Sequence, residues 1–193
     1  YPNVKFVVLT IFDDDDKIGD VFFDFFNPVH KIDFEKMREM GTNTIRIYGL
    51  FPWHPQNGKK QARDHKKFFD LAYNHGNKPI YVWVSYPISN SIFRYKPLKN
   101  KPESGWFVEV GEEYFVEDNR LEPGFRWLGD QTAKARRATD AEAYIEIAKK
   151  YGKHDAVFGF VLGNELNSPQ NRANPKYWEY INTLAGTLKK VAP

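Results

Sequence analysis

The sequence predicts an α/β fold built from parallel strand–helix units. Short β-branched and aromatic runs alternate with amphipathic stretches of helical spacing, and this alternation occurs four times along the chain. The runs are also nearly continuous in apolar residues, as expected for parallel strands that are covered on both faces. An antiparallel sheet would instead show a strict alternation of apolar and polar residues.

The composition excludes several classes of protein. The chain has 193 residues, of which 41% are hydrophobic and 17% aromatic, which is enough for a domain with a real core. A net charge of +3 gives no broad electrostatic basis for nucleic-acid binding. No apolar run approaches the roughly 18 residues that a membrane span needs. Because cysteine is absent, disulfides and thiol chemistry are excluded.

The first strand is predicted at Val4–Phe12, followed by the acidic run Asp13–Asp16. The run lacks the alternating spacing of a calcium loop, so we expect a solvated acidic loop and no metal site. Val21–Phe26 is dense in aromatic residues and serves either the core or the mouth of a pocket. Asn27–Pro28 then indicates a turn.

The second unit begins with a short helix from Asp33. Phe34, Met37 and Met40 fall on one face of this helix, and Gly41 is placed to end it. The strand Thr44–Tyr48 follows.

Arg46 is unusual inside this second strand. A buried guanidinium is costly unless it is paired, so Arg46 predicts a carboxylate partner, unless the strand alternation turns it toward solvent. The next segment, Leu50–Gln61, is predicted to be a loop. Its Trp53 either stacks on a sugar ring or anchors the loop to the scaffold.

The third unit comprises a helix over Asp64–Asn74 and a strand over Pro79–Ser85. Phe68, Leu71 and Ala72 are predicted on the inner face of the helix. The segment from about 86 to 138 is longer than a plain connection needs, so we expect an insertion. Within it, Gly105–Val110 and Glu113–Glu117 flank a glycine turn and are predicted to pair, and the basic clusters are expected to be solvated.

The fourth unit starts at a capping box, Thr139 with Glu142, which predicts the start of a helix. Its predicted core residues are Tyr144, Ile145, Ala148 and Tyr151. The strand that follows belongs to Val157–Asn167 and is predicted to be buried on both faces. Asn174 and Pro175 then predict the N-cap and first residue of a helix that continues over Tyr177–Val191.

Glu165 is the candidate catalytic residue. It follows Gly163 and Asn164 where the fourth strand should end, and the carboxyl ends of strands are where α/β barrels carry catalytic groups. Partial desolvation there would raise the pKa of the carboxyl and suit it to general acid catalysis. The alternative is a surface glutamate that caps a helix or pairs with a lysine.

Three strings carry a resemblance to a known clan. MGTNTIRIY, YVWVSYP and YGKHDAVFGFVLGNELN resemble the second, third and fourth strands of the retaining glycoside hydrolases that have a (β/α)₈ TIM barrel. An Asn-Glu pair ending the fourth strand is the hallmark of that clan. These sequence strings are most similar to those of the β-1,3-glucanosyltransferase and β-glucanase families, and they also resemble β-galactosidases and cellulases. The resemblance covers about residues 33–191.

The resemblance implies that residues 1–193 are the amino-terminal half of one barrel domain, with about the first four βα units and a long insertion at about 86–138. It also implies a role for each matching position. Glu165 matches the acid/base, Asn164 the residue that hydrogen-bonds the sugar 2-hydroxyl, and Arg46 the arginine that orients the nucleophile. The implied substrate-binding positions are Asn164, Arg46, Tyr48, Tyr86 and Trp53.

The implied function is a retaining glycoside hydrolase or transglycosylase that acts on a β-linked polysaccharide or oligosaccharide without a cofactor. The nucleophile should follow the seventh strand, which this chain does not reach. The remainder of the barrel is therefore expected from the same polypeptide or from another chain. The start at Tyr1 also leads us to expect part of a longer protein. An extracellular or cell-surface location is expected for it. The alternative function is a non-catalytic glycan-binding or structural module with the same barrel.

Overall fold

The computed structural model describes residues 6–8, 22, 27–56, 59–86, 88, 95–97, 107–109, 115–116, 131–163, 166 and 175–192. The elements in these residues are, in chain order, β1 (Phe6–Val8), α1 (Asn27–Glu39), β2 (Thr44–Arg46), β3 (Trp53–Gln56), β4 (Lys59–Ala62), α2 (Lys66–Tyr73), a 3₁₀ turn (Asn74–Gly76), β5 (Tyr81–Tyr86), β6 (Tyr95–Pro97), β7 (Phe107–Glu109), β8 (Phe115–Val116), β9 (Gln131–Thr132), α3 (Ala133–Tyr151), β10 (Val157–Leu162) and α4 (Pro175–Val191).

The central sheet has four strands in the order β1-β2-β5-β10, and every pairing in it is parallel. Each predicted strand–helix unit contributes one of these strands. The predicted α/β class with a parallel sheet is therefore confirmed for the described part of the chain. Closure into an eight-stranded barrel stays a prediction.

The two faces of the sheet differ in burial. Ile45, Val82 and Val84 are fully buried in the core with the helices, whereas Trp83 on the opposite face is half-buried. Phe158 of β10 packs its ring against Trp83 at 4.7 Å between centroids, yet it is 57% exposed. The prediction that this strand is buried on both faces is therefore wrong. Within the described residues β10 is an edge strand, so it lacks a neighbour on one side.

Helix α1 starts earlier than predicted, at Asn27 instead of Asp33. Asn27–Pro28 begins the helix because proline fits the first turn, where its missing N–H costs no hydrogen bond. Phe34 and Met37 are buried, but Met40 lies beyond the last turn and is 63% exposed, so its predicted place on the same helix face is wrong.

The predicted end of α1 is confirmed. Gly41 has φ +77°, and its N–H donates to the Arg38 carbonyl at 3.0 Å. The Thr42 N–H donates to the Met37 carbonyl at 2.9 Å, which completes a Schellman motif.

The predicted loop over Leu50–Gln61 contains a hairpin instead, since β3 pairs antiparallel with β4. Helix α2 buries Phe68 and Ala72 as predicted, but its third fully buried residue is Phe69, and Leu71 is only half-buried.

The strand pairing predicted inside the insertion is wrong. β7 pairs with β6 and β8 pairs with β9, all antiparallel, so Phe107–Glu109 and Phe115–Val116 are not partners of each other. A glycine turn indicates a chain reversal, but it does not select the strand that pairs across it.

Helix α3 begins at Ala133, so the predicted capping box at Thr139 lies inside the helix. The preceding residues Ala133–Ala138 are good helix formers, and they extend the helix past the capping pattern. Tyr144, Ala148 and Tyr151 are buried as predicted, whereas Ile145 is half-buried. Helix α4 begins at Pro175, as predicted. None of the helices in the described residues is long and apolar enough to cross a membrane.

Candidate active site at the carboxyl edge of the sheet

The carboxyl ends of three parallel strands meet at one edge of the sheet. β2 ends at Arg46, which lies beside Trp83 of β5, and β5 ends at Tyr86 beside Leu162 of β10. Side chains that follow these strands are thereby brought together from distant parts of the sequence.

Arg46 connects the two outer strands of this group. Its Nη2 donates to the Gly163 carbonyl just after β10, at 3.3 Å, across the end of β5. Its guanidinium carbon lies 4.4 Å from the centroid of the Tyr48 ring, within the range of a cation–π contact. The side chain is half-buried, and it contacts both Tyr48 after β2 and Gly163 after β10. The carboxylate predicted as its partner stays a prediction.

Gly163 forms the turn that ends β10. Its φ is +79°, and its N–H donates to the Val161 carbonyl at 3.0 Å. The positive φ favours glycine, and a Cβ at this position would lie 2.3 Å from Cδ2 of Leu166, so that side chain would have to move. Asn164 and Glu165 come directly after this glycine in sequence, and they lie outside the described residues.

Tyr144 of α3 approaches the same turn from the helical side. Its hydroxyl lies 2.7 Å from the Val161 carbonyl and 3.0 Å from the Val84 carbonyl, and the residue is fully buried. Burial raises the pKa of Tyr144 well above its usual range, against the opposing effects of the Val161 hydrogen bond and the Arg46 charge. The phenol therefore stays protonated and acts as a donor to the strand ends.

Tyr86, predicted to face a glycan, lies in the core with 0% exposure. Its hydroxyl donates to Oδ1 of Asp140 at 3.2 Å, and its ring packs against those of Phe51 and Tyr144. Tyr86 is thus at the predicted strand end, but its described contacts are with the protein.

Tyr48 and Trp53 are both half-buried. Tyr48 lies under the Arg46 guanidinium. Trp53 lies at the start of β3 and packs against the hydrophobic core. These contacts fit the predicted role of anchoring its segment to the scaffold. Contact of either ring with a sugar stays a prediction.

Two residues at this edge were missed as site residues from the sequence. Asp140 was not singled out, and Tyr144 was taken only as a core ring. The signal was present, because an acidic residue four positions before a buried tyrosine falls on the same helix face. Among the described residues, no group of three His, Asp or Glu side chains is placed to hold a metal ion.

Comparison with known proteins gives limited similarity. No model of a protein family matches the chain, and no curated protein matches it. Among solved structures, it is similar to the β-galactosidase of the psychrophilic Marinomonas ef1, with a TM-score of 0.44 and 18% identity over 75% of this chain and 20% of that one. It is also similar to the cold-adapted β-galactosidase of Rahnella sp. R3, with a TM-score of 0.40 and 20% identity over 72% of this chain and 19% of that one.

The chain therefore spans about a fifth of the length of these two β-galactosidases. Both TM-scores are below 0.5, so the fold and the site rest on the residues of this chain.

Proposed function

We propose that this chain is the amino-terminal half of a (β/α)₈-barrel glycoside hydrolase or transglycosylase that retains anomeric configuration and acts on a β-linked glycan. Glu165 is the general acid/base, Asn164 holds the sugar 2-hydroxyl, and Arg46 orients the nucleophile. Tyr48 and Trp53 border the glycan, and Tyr86 supports the strand end from inside the core.

The observation that carries the proposal is the hydrogen bond from Arg46 to the Gly163 carbonyl, 3.3 Å long. It joins the end of β2 to the residue that precedes Asn164 and Glu165, although the two positions are 117 residues apart. Barrel enzymes carry their catalytic groups at the carboxyl ends of several strands, and this bond joins two such strand ends across the end of β5.

The chemistry assigned to Glu165 has two steps. In the first, its carboxylic acid protonates the leaving oxygen while a second carboxylate, roughly 5–5.5 Å away, attacks the anomeric carbon. In the second, the Glu165 carboxylate removes a proton from the acceptor, which displaces the enzyme from the sugar. Water as acceptor gives hydrolysis, and another sugar gives transfer.

The second carboxylate is assigned to sequence beyond this chain, at the end of the seventh strand. The remaining strands would come from the same polypeptide or from another chain and would pair with the edges at β1 and β10. A glycan in the cell wall or outside the cell suits this activity, so we place the protein at the extracellular or cell-surface side. No cofactor is required.

The test compares Glu165→Gln with Glu146→Gln in the intact protein. Glu146 is a suitable control because it is a residue of α3 with a 45% exposed side chain that pairs with Lys149. Loss of general acid catalysis should lower kcat for a β-glycan at least about 100-fold in Glu165→Gln and leave it unchanged in Glu146→Gln. Full activity in Glu165→Gln would overturn the assignment of Glu165.

A mechanism-based glycoside inhibitor separates the two candidate functions. Covalent labelling of one carboxylate outside this chain is expected for the enzyme. Glycan binding without labelling or turnover would instead identify a non-catalytic binding module.

A further inference from the structure

Helix α3 carries two polar side chains that face the ends of the central strands. Asp140 and Tyr144 are one helical turn apart and both are fully buried. Buried polar groups are costly unless they are hydrogen-bonded, so their partners indicate what they are for.

Each of the two side chains holds a different strand end. Asp140 accepts a hydrogen bond from the Tyr86 hydroxyl at the end of β5, at 3.2 Å. The Tyr144 hydroxyl has one proton and two nearby carbonyls, those of Val161 and Val84, at 2.7 Å and 3.0 Å. The shorter distance is to Val161 of β10.

The Val161 carbonyl is also part of the turn that precedes Asn164. It accepts the Gly163 N–H at 3.0 Å, and the Gly163 carbonyl accepts Arg46. The turn is therefore held from two sides, by Tyr144 through Val161 and by Arg46 directly. A rigid group behind a reacting side chain matters because displacements of about 1 Å can reduce catalysis about 100-fold.

We propose that Tyr144 is a positioning residue for the turn at Gly163, and thereby for the residues that follow it in sequence, and that Asp140 supports it by fixing Tyr86 beside Leu162. The catalytic consequence of this assignment rests on the function proposed above. The mechanical part, that the α3 hydroxyl holds the end of β10, is measurable in a protein of any function.

The chain offers a matched control in Tyr151. It is also a buried tyrosine of α3, but its hydroxyl accepts the His65 N–H at 2.8 Å and lies 3.1 Å from Oδ1 of Asp64, at the start of α2. Tyr144→Phe and Tyr151→Phe thus each remove one phenol hydroxyl from α3, the first at the end of β10 and the second at the start of α2.

Amide hydrogen exchange in the intact protein tests whether the Tyr144 hydroxyl holds the end of β10. Tyr144→Phe should accelerate exchange at least tenfold in residues 157–163 and leave residues 65–69 unchanged, and Tyr151→Phe should show the reverse pattern. The same pattern of acceleration in both variants, or none in residues 157–163, would overturn the proposal.

Asp140 provides an independent measurement if Tyr144→Phe fails to fold. Asp140→Ala removes the acceptor of the Tyr86 hydroxyl and should accelerate exchange at the end of β5 at least fivefold. Asp140→Asn keeps an oxygen acceptor and should restore most of the protection. Equal exchange in the two variants would contradict the role of Asp140.

Steady-state kinetics test the catalytic consequence of the proposal. Tyr144→Phe should lower kcat at least tenfold with KM within twofold, and should shift the pH dependence of kcat, because Glu165 is displaced relative to the substrate. Tyr151→Phe should change neither. Accelerated amide exchange in residues 157–163 of Tyr144→Phe with an unchanged kcat would overturn the catalytic consequence. A wild-type protein without turnover would refute the proposed function, and the exchange result would still stand.

Discussion

Replacement of Gly163 by alanine tests the turn that the site depends on. At φ +79° an L-residue is disfavoured by roughly 1–2 kcal/mol relative to a right-handed conformation. The new Cβ would also lie 2.3 Å from Cδ2 of Leu166 and 3.0 Å from its Cγ, so the leucine must leave its place. Because Leu166 is half-buried and the end of its side chain can move, relieving this contact should cost at most about 1 kcal/mol, the low end of the range for overpacking. We expect Gly163→Ala to lower the free energy of unfolding by about 1–3 kcal/mol.

The matched control is Gly186→Ala in helix α4. Gly186 is exposed, and a Cβ there would meet nothing within 4 Å. Alanine in a helix interior is favoured over glycine by about 0.5–1 kcal/mol, so this variant should be slightly more stable than the wild type. Urea unfolding followed by circular dichroism measures both effects. Equal stability of Gly163→Ala and the wild type would refute the conformation and packing assigned to the turn.

Three further predictions concern other parts of the fold. The Arg38 guanidinium donates to the Leu71 and Ala72 carbonyls near the end of α2 and to the Lys78 carbonyl beyond the 3₁₀ turn. Arg38→Met should therefore lower the free energy of unfolding in urea by about 1–3 kcal/mol, and an unchanged value would show that these bonds do not stabilise the fold. Burial opposes ionisation of Asp64, but hydrogen bonds from the Lys66 N–H, Lys150 and Tyr151 outweigh it and lower the pKa of Asp64 to about 2. Its contribution is present above the unfolded value near 3.9 and is lost toward pH 2, so Asp64→Asn should flatten acid unfolding over this window, by a small amount because the side chain is half exposed. The raised pKa of Tyr144 gives the opposite pH dependence: its contribution to stability is present below about pH 10 and is lost as the pH rises above it. Tyr144→Phe should therefore lose less unfolding free energy than the wild type in an alkaline titration. Identical alkaline slopes in the two proteins would contradict this.

Local patterns in the sequence were sufficient for the elements of the central sheet. Continuous apolar runs located all four parallel strands, because a strand that packs against helices needs apolar side chains wherever it lies in the fold. Gly41 and Pro175 located a helix end and a helix start, since backbone conformation at these positions depends on the residue itself.

Local patterns failed where the outcome depended on distant neighbours. The capping box at Thr139 has the sequence of a helix start, but a favourable upstream segment extended α3 to Ala133. The two short strands of the insertion were located near the correct residues and paired with the wrong partners. Met40 matched the apolar spacing of α1 and became exposed because the helix ended before it.

The candidate site divides in the same way. The Gly163-Asn164-Glu165 sequence and the unusual arginine in the second strand could both be recognised from residue types alone. That Arg46 reaches the Gly163 carbonyl, that Tyr144 holds Val161, and that Tyr86 turns into the core toward Asp140 are properties of the folded chain. These contacts join residues up to 117 positions apart, and no local periodicity carries that information, because strand order and helix placement bring the groups together only after the sheet has formed.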